Sequence, residues 1–209
     1  MNFFLDDIIT NIELIENNNL KTKEIERVLE MIDSYKMDDY QLYYLKGYLW
    51  NLLPFDSDKR EQEVEYNLKK SITLKDDYIY SKTELSFFYF DQKKYSNVIK
   101  LLNNIEFSFF EERGQLWKSL KLQELLAVSK LYTTKFVDSD LSNEFLSLIS
   151  VYLHLPEEEV AVPRELVNSV IENIDKKNIY NIAKNTYSLI KSLSFKDYFD
   201  KTISSKLKK

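Results

Sequence analysis

The amino-acid sequence predicts an all-α protein, and three observations support this fold class. Apolar residues recur at helical spacing along almost the whole chain. The 209 residues include only two glycines, Gly47 and Gly114, and only three prolines. An α/β enzyme needs glycine where the backbone turns tightly or approaches a phosphate, and a β-sandwich needs frequent turn residues. The composition supplies neither, so long helices with short polar connections remain.

In the first half of the chain, helices are predicted over residues 2–16, from about 22, and over 38–53, 59–73, 77–90 and 95–105. Several of the boundaries have a local cause. The asparagine run 17–19 ends the first helix, and Thr22 can cap the second. Pro54 stops the third, because proline cannot continue a helix, and the polar loop 56–58 can cap the fourth.

In the second half of the chain, helices are predicted over 111–133, from 138 or 139 to 153, from Pro156, and over 164–175, 179–193 and 195–207. Proline suits the first turn of a helix, and the acidic run 157–159 is favourable at its positive end. Pro163 interrupts or kinks that helix. The total expected is ten or eleven helices with no strand.

Two stretches of the chain share a pattern of small and aromatic residues. In the second stretch the matching positions are Leu85, Ser86, Tyr89, Tyr95, Val98, Ile99, Leu102 and Ile105. In the first they are Tyr43, Gly47, Trp50 and Ser71, and a repeat length of about 34 residues from Ser71 leads to Ile105. This pattern resembles tetratricopeptide units, although Lys82 stands where that family usually has an aromatic residue.

The resemblance implies antiparallel helix pairs that stack as a right-handed superhelix, in which small residues let paired helices approach closely. It covers about 40–106 and extends loosely to 111–153, where Gly114 and Trp117 fall near the expected register. The predicted organisation is a single helical domain over 1–209. Within it, 1–36 is a helix pair, 38–106 holds two units, 111–153 is a degenerate pair, and 156–209 holds C-terminal helices with a basic tail.

The sequence carries no recognisable catalytic motif. It has no cysteine, which excludes disulfides, thiolate metal sites and a cysteine nucleophile. Walker, G-x-S-x-G, H-E-x-x-H and paired Glu-x-x-His patterns are absent. The one histidine, His154, is expected to end a helix, and acidic pairs such as Asp38-Asp39 to begin one. The expectation is a protein without catalytic residues, metal or cofactor.

The charge of the chain is unevenly distributed. Residues 176–209 hold nine lysines and two aspartates, which gives this segment a charge of +7. Since the whole chain has a net charge of −5, the other 175 residues together carry −12. An acidic body disfavours nucleic acid as the main partner, because phosphate contacts supply most of that affinity. The basic tail is either a separate contact or a solvated helix end.

The location of the protein is also predicted from the sequence. The start of the chain has acids within its apolar stretch and no basic leader, which indicates a helix rather than a secretory signal. No apolar run approaches the ~18 residues that a membrane span needs. We therefore expect a cytoplasmic protein without a membrane partner.

Aromatic residues are the remaining candidates for function, with fifteen tyrosines, thirteen phenylalanines and two tryptophans. In the tetratricopeptide proteins that this sequence resembles, the first helix of each pair lines a concave groove. The groove positions carried over by register, and hence the predicted partner contacts, are Tyr44, Tyr48, Tyr80, Phe87 and Trp117. Such rings suit binding hot spots, and the alternative is that they form interhelical core.

Two functions from different classes fit these observations. Small acidic bacterial proteins of this build include immunity proteins, which neutralise a cognate toxin. Many nucleic-acid-degrading toxins are basic, so an acidic surface would steer association with one. The alternative is a regulatory or peptide-sensing adaptor or chaperone. Such regulators commonly begin with a DNA-binding helix-turn-helix, which the acidic residues 1–35 do not resemble. An enzyme stays a default possibility, and the oligomeric state is not predicted.

Overall fold

The computed structural model describes residues 22–35, 38–53, 58–154 and 164–173, together with positions 176, 179, 182 and 184. These residues form nine helices and no strand, which confirms the all-α class. The helices are α1 (Thr22–Ser34), α2 (Tyr40–Leu52), α3 (Asp58–Leu74), α4 (Ile79–Asp91), α5 (Tyr95–Leu102), α6 (Ser108–Glu111), α7 (Leu116–Thr133), α8 (Ser139–His154) and α9 (Arg164–Glu172).

The helices predicted at 2–16, from Pro156 and over 195–207 lie outside the described residues, as does most of the one predicted over 179–193. The total of ten or eleven helices and the superhelical stacking stay predictions. None of the helices in the described part of the chain is both long and apolar enough to cross a membrane.

The chain divides into two compact units, Met1–Phe88 and Tyr89–Lys209, and the boundary falls inside α4. The single domain over 1–209 and its subdivision stay predictions.

Side-chain caps fix two of the helix starts at the predicted acids. The carboxylate of Asp39 accepts hydrogen bonds from the backbone N–H groups of Gln41 and Leu42, at 2.8 and 3.1 Å. Asp138 accepts one from the N–H of Leu141 at 2.9 Å. Each bond satisfies a donor that the first turn of a helix leaves unpaired. His154 is the last residue of α8, as predicted, and its Nδ1 lies 2.6 Å from the carbonyl oxygen of Ser150.

The prediction that one helix starts near residue 111 is wrong. The chain instead forms the short helix α6, turns, and begins α7 at Leu116. Gly114 lies in the left-handed region with φ of 68°, a conformation that glycine adopts without steric cost. The N–H of Gln115 donates back to the carbonyl of Phe110 at 2.8 Å, which closes the turn. Gly114 is therefore a helix terminator and not an interior small residue.

In the first unit, α1 packs on α2, and α2 packs closely on α3. The core between α1 and α2 consists of Ile25, Val28, Leu29, Ile32, Leu42, Leu45, Leu49 and Leu53. The contact between α2 and α3 is tightest at Gly47. A Cβ atom there would lie 2.6 Å from Cγ of Leu68 and 3.3 Å from its backbone nitrogen. Any side chain at position 47 would therefore displace the side chain of Leu68.

A buried serine links three helices of the same unit. Ser71 is fully buried, and its hydroxyl donates to the carbonyl oxygen of Tyr40 at 2.7 Å. The same hydroxyl lies 2.7 Å from the hydroxyl of Ser81, also fully buried. Tyr40 begins α2 and Ser81 lies in the first turn of α4, so α3 holds these two helix starts together.

In the second unit, α7 is the central helix, because α5, α6, α8 and α9 all pack against it. The core there includes Ala127, Val128, Leu131, Val137, Phe145, Ile149, Leu166 and Val170. Two described positions further along the chain, Ile179 and Ile182, also belong to this core.

Replacing Gly47 by alanine should lower the free energy of unfolding by about 1–3 kcal/mol, because the added methyl group must displace the buried Leu68. Equilibrium unfolding in urea measures this change. Gln62→Ala, at an exposed position of α3, is the control and should stay within about 0.5 kcal/mol of the wild type. A Gly47→Ala variant as stable as the control would contradict the close packing.

Candidate functional site

Five tyrosines of the first unit form one connected group, which we call the tyrosine cluster. Its members are Tyr40, Tyr44, Tyr48, Tyr78 and Tyr80. The ring centroid of Tyr44 lies 6.1 Å from that of Tyr48, 5.5 Å from that of Tyr78 and 6.2 Å from that of Tyr80. Tyr78 lies 4.8 Å from Tyr40 and 5.6 Å from Tyr80. These separations are those of directly interacting rings.

The sequence and the packing together bring these rings into contact. Tyr40, Tyr44 and Tyr48 are four residues apart, so they lie on one side of α2. Tyr78 precedes α4 and Tyr80 lies in its first turn. The bond from Ser71 to the carbonyl of Tyr40 and its contact with Ser81 join the starts of α2 and α4. The two groups of tyrosines meet there.

The cluster is neither fully core nor fully surface. All five side chains are half-buried. Tyr44 and Tyr48 also pack against the hydrophobic core of α1 and α2, so the core interpretation holds for part of these two rings. Each of the five residues stays partly accessible, and packing on the core holds Tyr44 and Tyr48 in place. Such a surface offers contact area with little side-chain entropy left to lose.

Burial raises the pKa of two hydroxyls of the cluster, those of Tyr44 and Tyr78. It raises the pKa of Tyr44, and the nearby carboxylate of Glu84 and the neighbouring tyrosines add to the effect. Burial likewise raises the pKa of Tyr78 to about 12, with further contributions from Tyr40, Tyr80 and Asp39. At neutral pH these groups can therefore both donate and accept hydrogen bonds.

Charged side chains lie near three members of the cluster, Tyr40, Tyr44 and Tyr78. The ammonium of Lys75 lies 4.8 Å from the ring centroid of Tyr40, a cation–π contact. Elsewhere in the same unit, Lys82 of α4 pairs with Asp76 at 3.1 Å. Lys75 beside Tyr40, Glu84 near Tyr44 and Asp39 near Tyr78 therefore place polar groups next to the rings. Apolar or aromatic centres with polar rims are typical of protein interfaces.

The structure brings together three of the five predicted partner-contact residues. Tyr44, Tyr48 and Tyr80 belong to the tyrosine cluster, whereas Phe87 is half-buried further along α4. Trp117 belongs to the second unit, in the first turn of α7, where its side chain is 58% exposed. The role of all five as partner contacts stays a prediction.

Two cluster members, Tyr40 and Tyr78, were not among the predicted residues. Tyr40 could have been found from its spacing, since it precedes Tyr44 by one helical step of four residues, as Tyr44 precedes Tyr48. Tyr78 lies in a turn, where no helical spacing applies. Its place in the cluster depends on how α4 docks.

A second polar group lies inside the second unit, around the buried carboxylate of Glu124, whose side chain is 1% exposed. One oxygen accepts a hydrogen bond from the backbone N–H of Leu166 at 3.0 Å. The other accepts one from Lys121 at 3.1 Å and lies 3.4 Å from the hydroxyl of Tyr152. Lys121 also binds Glu165 at 2.5 Å.

This arrangement fits a structural role for Glu124. Leu166 lies in the first turn of α9, where backbone N–H groups have no partner within the helix, so Glu124 caps α9 from α7. Burial raises the pKa of Glu124, and the ammonium of Lys121 opposes that effect. Among the described residues, the partners of the carboxylate lie on α7, α8 and α9, so Glu124 joins these three helices. In the described residues, no three acidic or histidine side chains are placed to hold a metal ion.

Comparison with known proteins gave no match: no protein-family model fits the chain, and neither a curated protein nor a solved structure is significantly similar to it. The tetratricopeptide resemblance therefore depends on the residues of this chain alone and stays a prediction.

The raised pKa of Tyr78 predicts a loss of stability in alkali. An unfolded tyrosine loses its proton near pH 10.0 and folded Tyr78 near pH 12, so the folded state holds the proton more tightly. The stability contributed by the neutral hydroxyl is complete below about pH 10 and is lost as the pH rises through about 12. Urea unfolding at fixed pH values should show this decline, and Tyr78→Phe should reduce its slope.

Tyr66→Phe is the matched control for this measurement, because Tyr66 is 60% exposed and lies outside the tyrosine cluster. It should retain the wild-type slope. An identical alkaline decline in the wild type and in Tyr78→Phe would show that Tyr78 is not held in a buried, neutral state.

Proposed function

We propose that this chain is a non-catalytic protein-binding module that holds a partner protein against the tyrosine cluster. The observation that carries the proposal is the convergence of five half-buried tyrosines from two stretches of the chain. Tyrosine supplies a large contact area at low entropy cost and dominates many binding hot spots. Packing on the core of α1 and α2 restricts Tyr44 and Tyr48 before a partner binds, which reduces the side-chain entropy lost on binding.

The architecture that we propose for the chain is tetratricopeptide-like. The close contact of Gly47 with Leu68 supports it, because the resemblance assigns Gly47 to a small position at which paired helices approach. Ser71, assigned to the small position of the second helix in the pair, is fully buried and contacts two neighbouring helices. These two positions are consistent with a helix pair of that type over α2 and α3.

The partner that fits the charge best is a basic protein. Outside the lysine-rich residues 176–209 the chain carries a net charge of −12, which attracts a positively charged partner and accelerates association. We therefore propose an immunity protein that acts in the cytoplasm and neutralises a cognate bacterial toxin by sequestering it. The acidic charge of residues 1–175 supports this function.

Capture of the partner tests the proposed function. A tagged chain purified from its native host should retain one basic protein at one-to-one stoichiometry, identified by mass spectrometry. That protein should inhibit growth when expressed alone and not when expressed with this chain. Several partners, or a short peptide, would contradict the immunity function and indicate the adaptor or peptide-sensing class instead.

A pair of tyrosine variants then tests the binding surface with the captured partner. Tyr80→Ala should weaken binding by about 30-fold, the loss that defines a hot spot, whereas Tyr66→Ala should change it little. Calorimetry measures the affinities, and thermal unfolding establishes that both variants remain folded. If folded Tyr80→Ala binds as the wild type does, the partner does not use the tyrosine cluster.

A further inference from the structure

The first unit has a second surface feature, a groove beside α1 with a volume of about 440 Å³, which we call the α1 groove. Three carboxylates of α1 border it, Glu26, Glu30 and Asp33. They are four and three residues apart and therefore lie along one side of the helix. Trp50, in the last turn of α2, and Lys59, in the first turn of α3, complete the border.

The groove combines an apolar floor with an aromatic wall. The floor is formed by Leu29 and Leu53, both almost fully buried in the core. The wall is Trp50, whose backbone is held by Arg60. That guanidinium donates to the carbonyl oxygens of Trp50 and Asn51 at 3.2 and 2.8 Å, which fixes the end of α2.

A cation already occupies the aromatic wall. The ammonium of Lys59 lies 5.5 Å from the ring centroid of Trp50, within the range of a cation–π interaction. Lys59 is itself exposed and lies on a flexible stem, so a better-placed cation can displace it. The contact identifies the ring face as a site that accepts positive charge.

The acidic border of the groove is only partly neutralised. Asp33 is paired with Lys46 at 2.6 Å. The exposed carboxylates of Glu26 and Glu30 form no ion pair with any residue that the structure describes. Beside the floor and the aromatic wall there are thus two carboxylates that a ligand can reach. This set is complementary to a long side chain with an apolar stem and a cationic head.

We propose that the α1 groove binds an arginine side chain from a basic segment of the partner protein. The stem would cover the apolar floor, and the guanidinium would lie on Trp50 in place of Lys59 and pair with Glu26 and Glu30. Arginine fits better than lysine because its planar head stacks on an aromatic ring while it donates to two carboxylates. The inference extends the proposed function, since it supplies the chemistry by which a basic partner is recognised.

Calorimetric titration of the full chain with an oligoarginine peptide tests this inference at low ionic strength. The matched peptide contains citrulline, which keeps the shape of arginine and lacks its charge. The arginine peptide should bind and the citrulline peptide should not. Glu26→Gln combined with Glu30→Gln should weaken arginine binding by about tenfold. The control combines Glu24→Gln with Glu106→Gln, which removes the same charge from exposed positions outside the groove.

Substitution of Lys59, whose ammonium lies over the ring of Trp50, should strengthen binding of the arginine peptide. Lys59→Gln vacates the ring of Trp50 and should raise the affinity for the arginine peptide by about threefold or more. Lys100→Gln, at an exposed position of α5, is its control for net charge and should have a smaller effect. The inference is overturned by equal binding of the citrulline peptide, by equal effects of the two glutamate pairs, or by equal effects of the two lysine variants.

The peptide titration and the partner capture test two separate claims, so a negative result in one leaves the other claim standing. A captured partner that depends on Tyr80, together with a peptide that does not distinguish the groove variants, overturns the groove assignment and leaves the proposed function standing. Specific peptide binding without any one-to-one partner overturns the proposed function and leaves the groove as a site for arginine.

Discussion

The contact of α2 with α3 at Gly47 is the constraint on which the first unit depends. Any side chain at position 47 would overlap the buried Leu68, so α2 and α3 pack closely at this point. Ser71 follows Leu68 by three residues on α3, and the close approach brings its hydroxyl within reach of the carbonyl of Tyr40. Because the same hydroxyl contacts Ser81, the position of α4 follows from the same packing.

Both proposed binding features use α2, at different places. One side of the helix carries Tyr40, Tyr44 and Tyr48, and its last turn carries Trp50 beside the carboxylates of α1. The tyrosines offer rigid contact area, whereas the groove offers charge complementarity. In protein complexes the first property supplies most of the affinity, and the second supplies association rate and selectivity. A basic partner protein that spans both would use each for its separate contribution.

Local signals predicted much of the fold, and non-local packing accounts for most of the errors. Asp39 and Asp138 were identifiable as helix caps because a cap depends only on the next few residues. Gly114 falls near the register of a repeat, but its left-handed conformation ends a helix, and register alone does not distinguish the two roles. The repeat register placed Tyr44 and Tyr80 on one predicted surface, and their rings lie close together. The position of Tyr78 depends on how α4 docks, which the sequence spacing does not give. Glu124 meets Leu166 from 42 residues away, beyond any spacing rule.

Hydroxyl-radical footprinting of the chain, free and in its one-to-one complex, tests the central claim most directly. The claim is that a partner protein covers the tyrosine cluster. Mass spectrometry of the oxidised peptides should show Tyr40, Tyr78 and Tyr80 protected in the complex, with Tyr66 oxidised at the same rate in both states. Equal oxidation of these three tyrosines in the free and bound chain, with protection confined to other segments, would contradict the account.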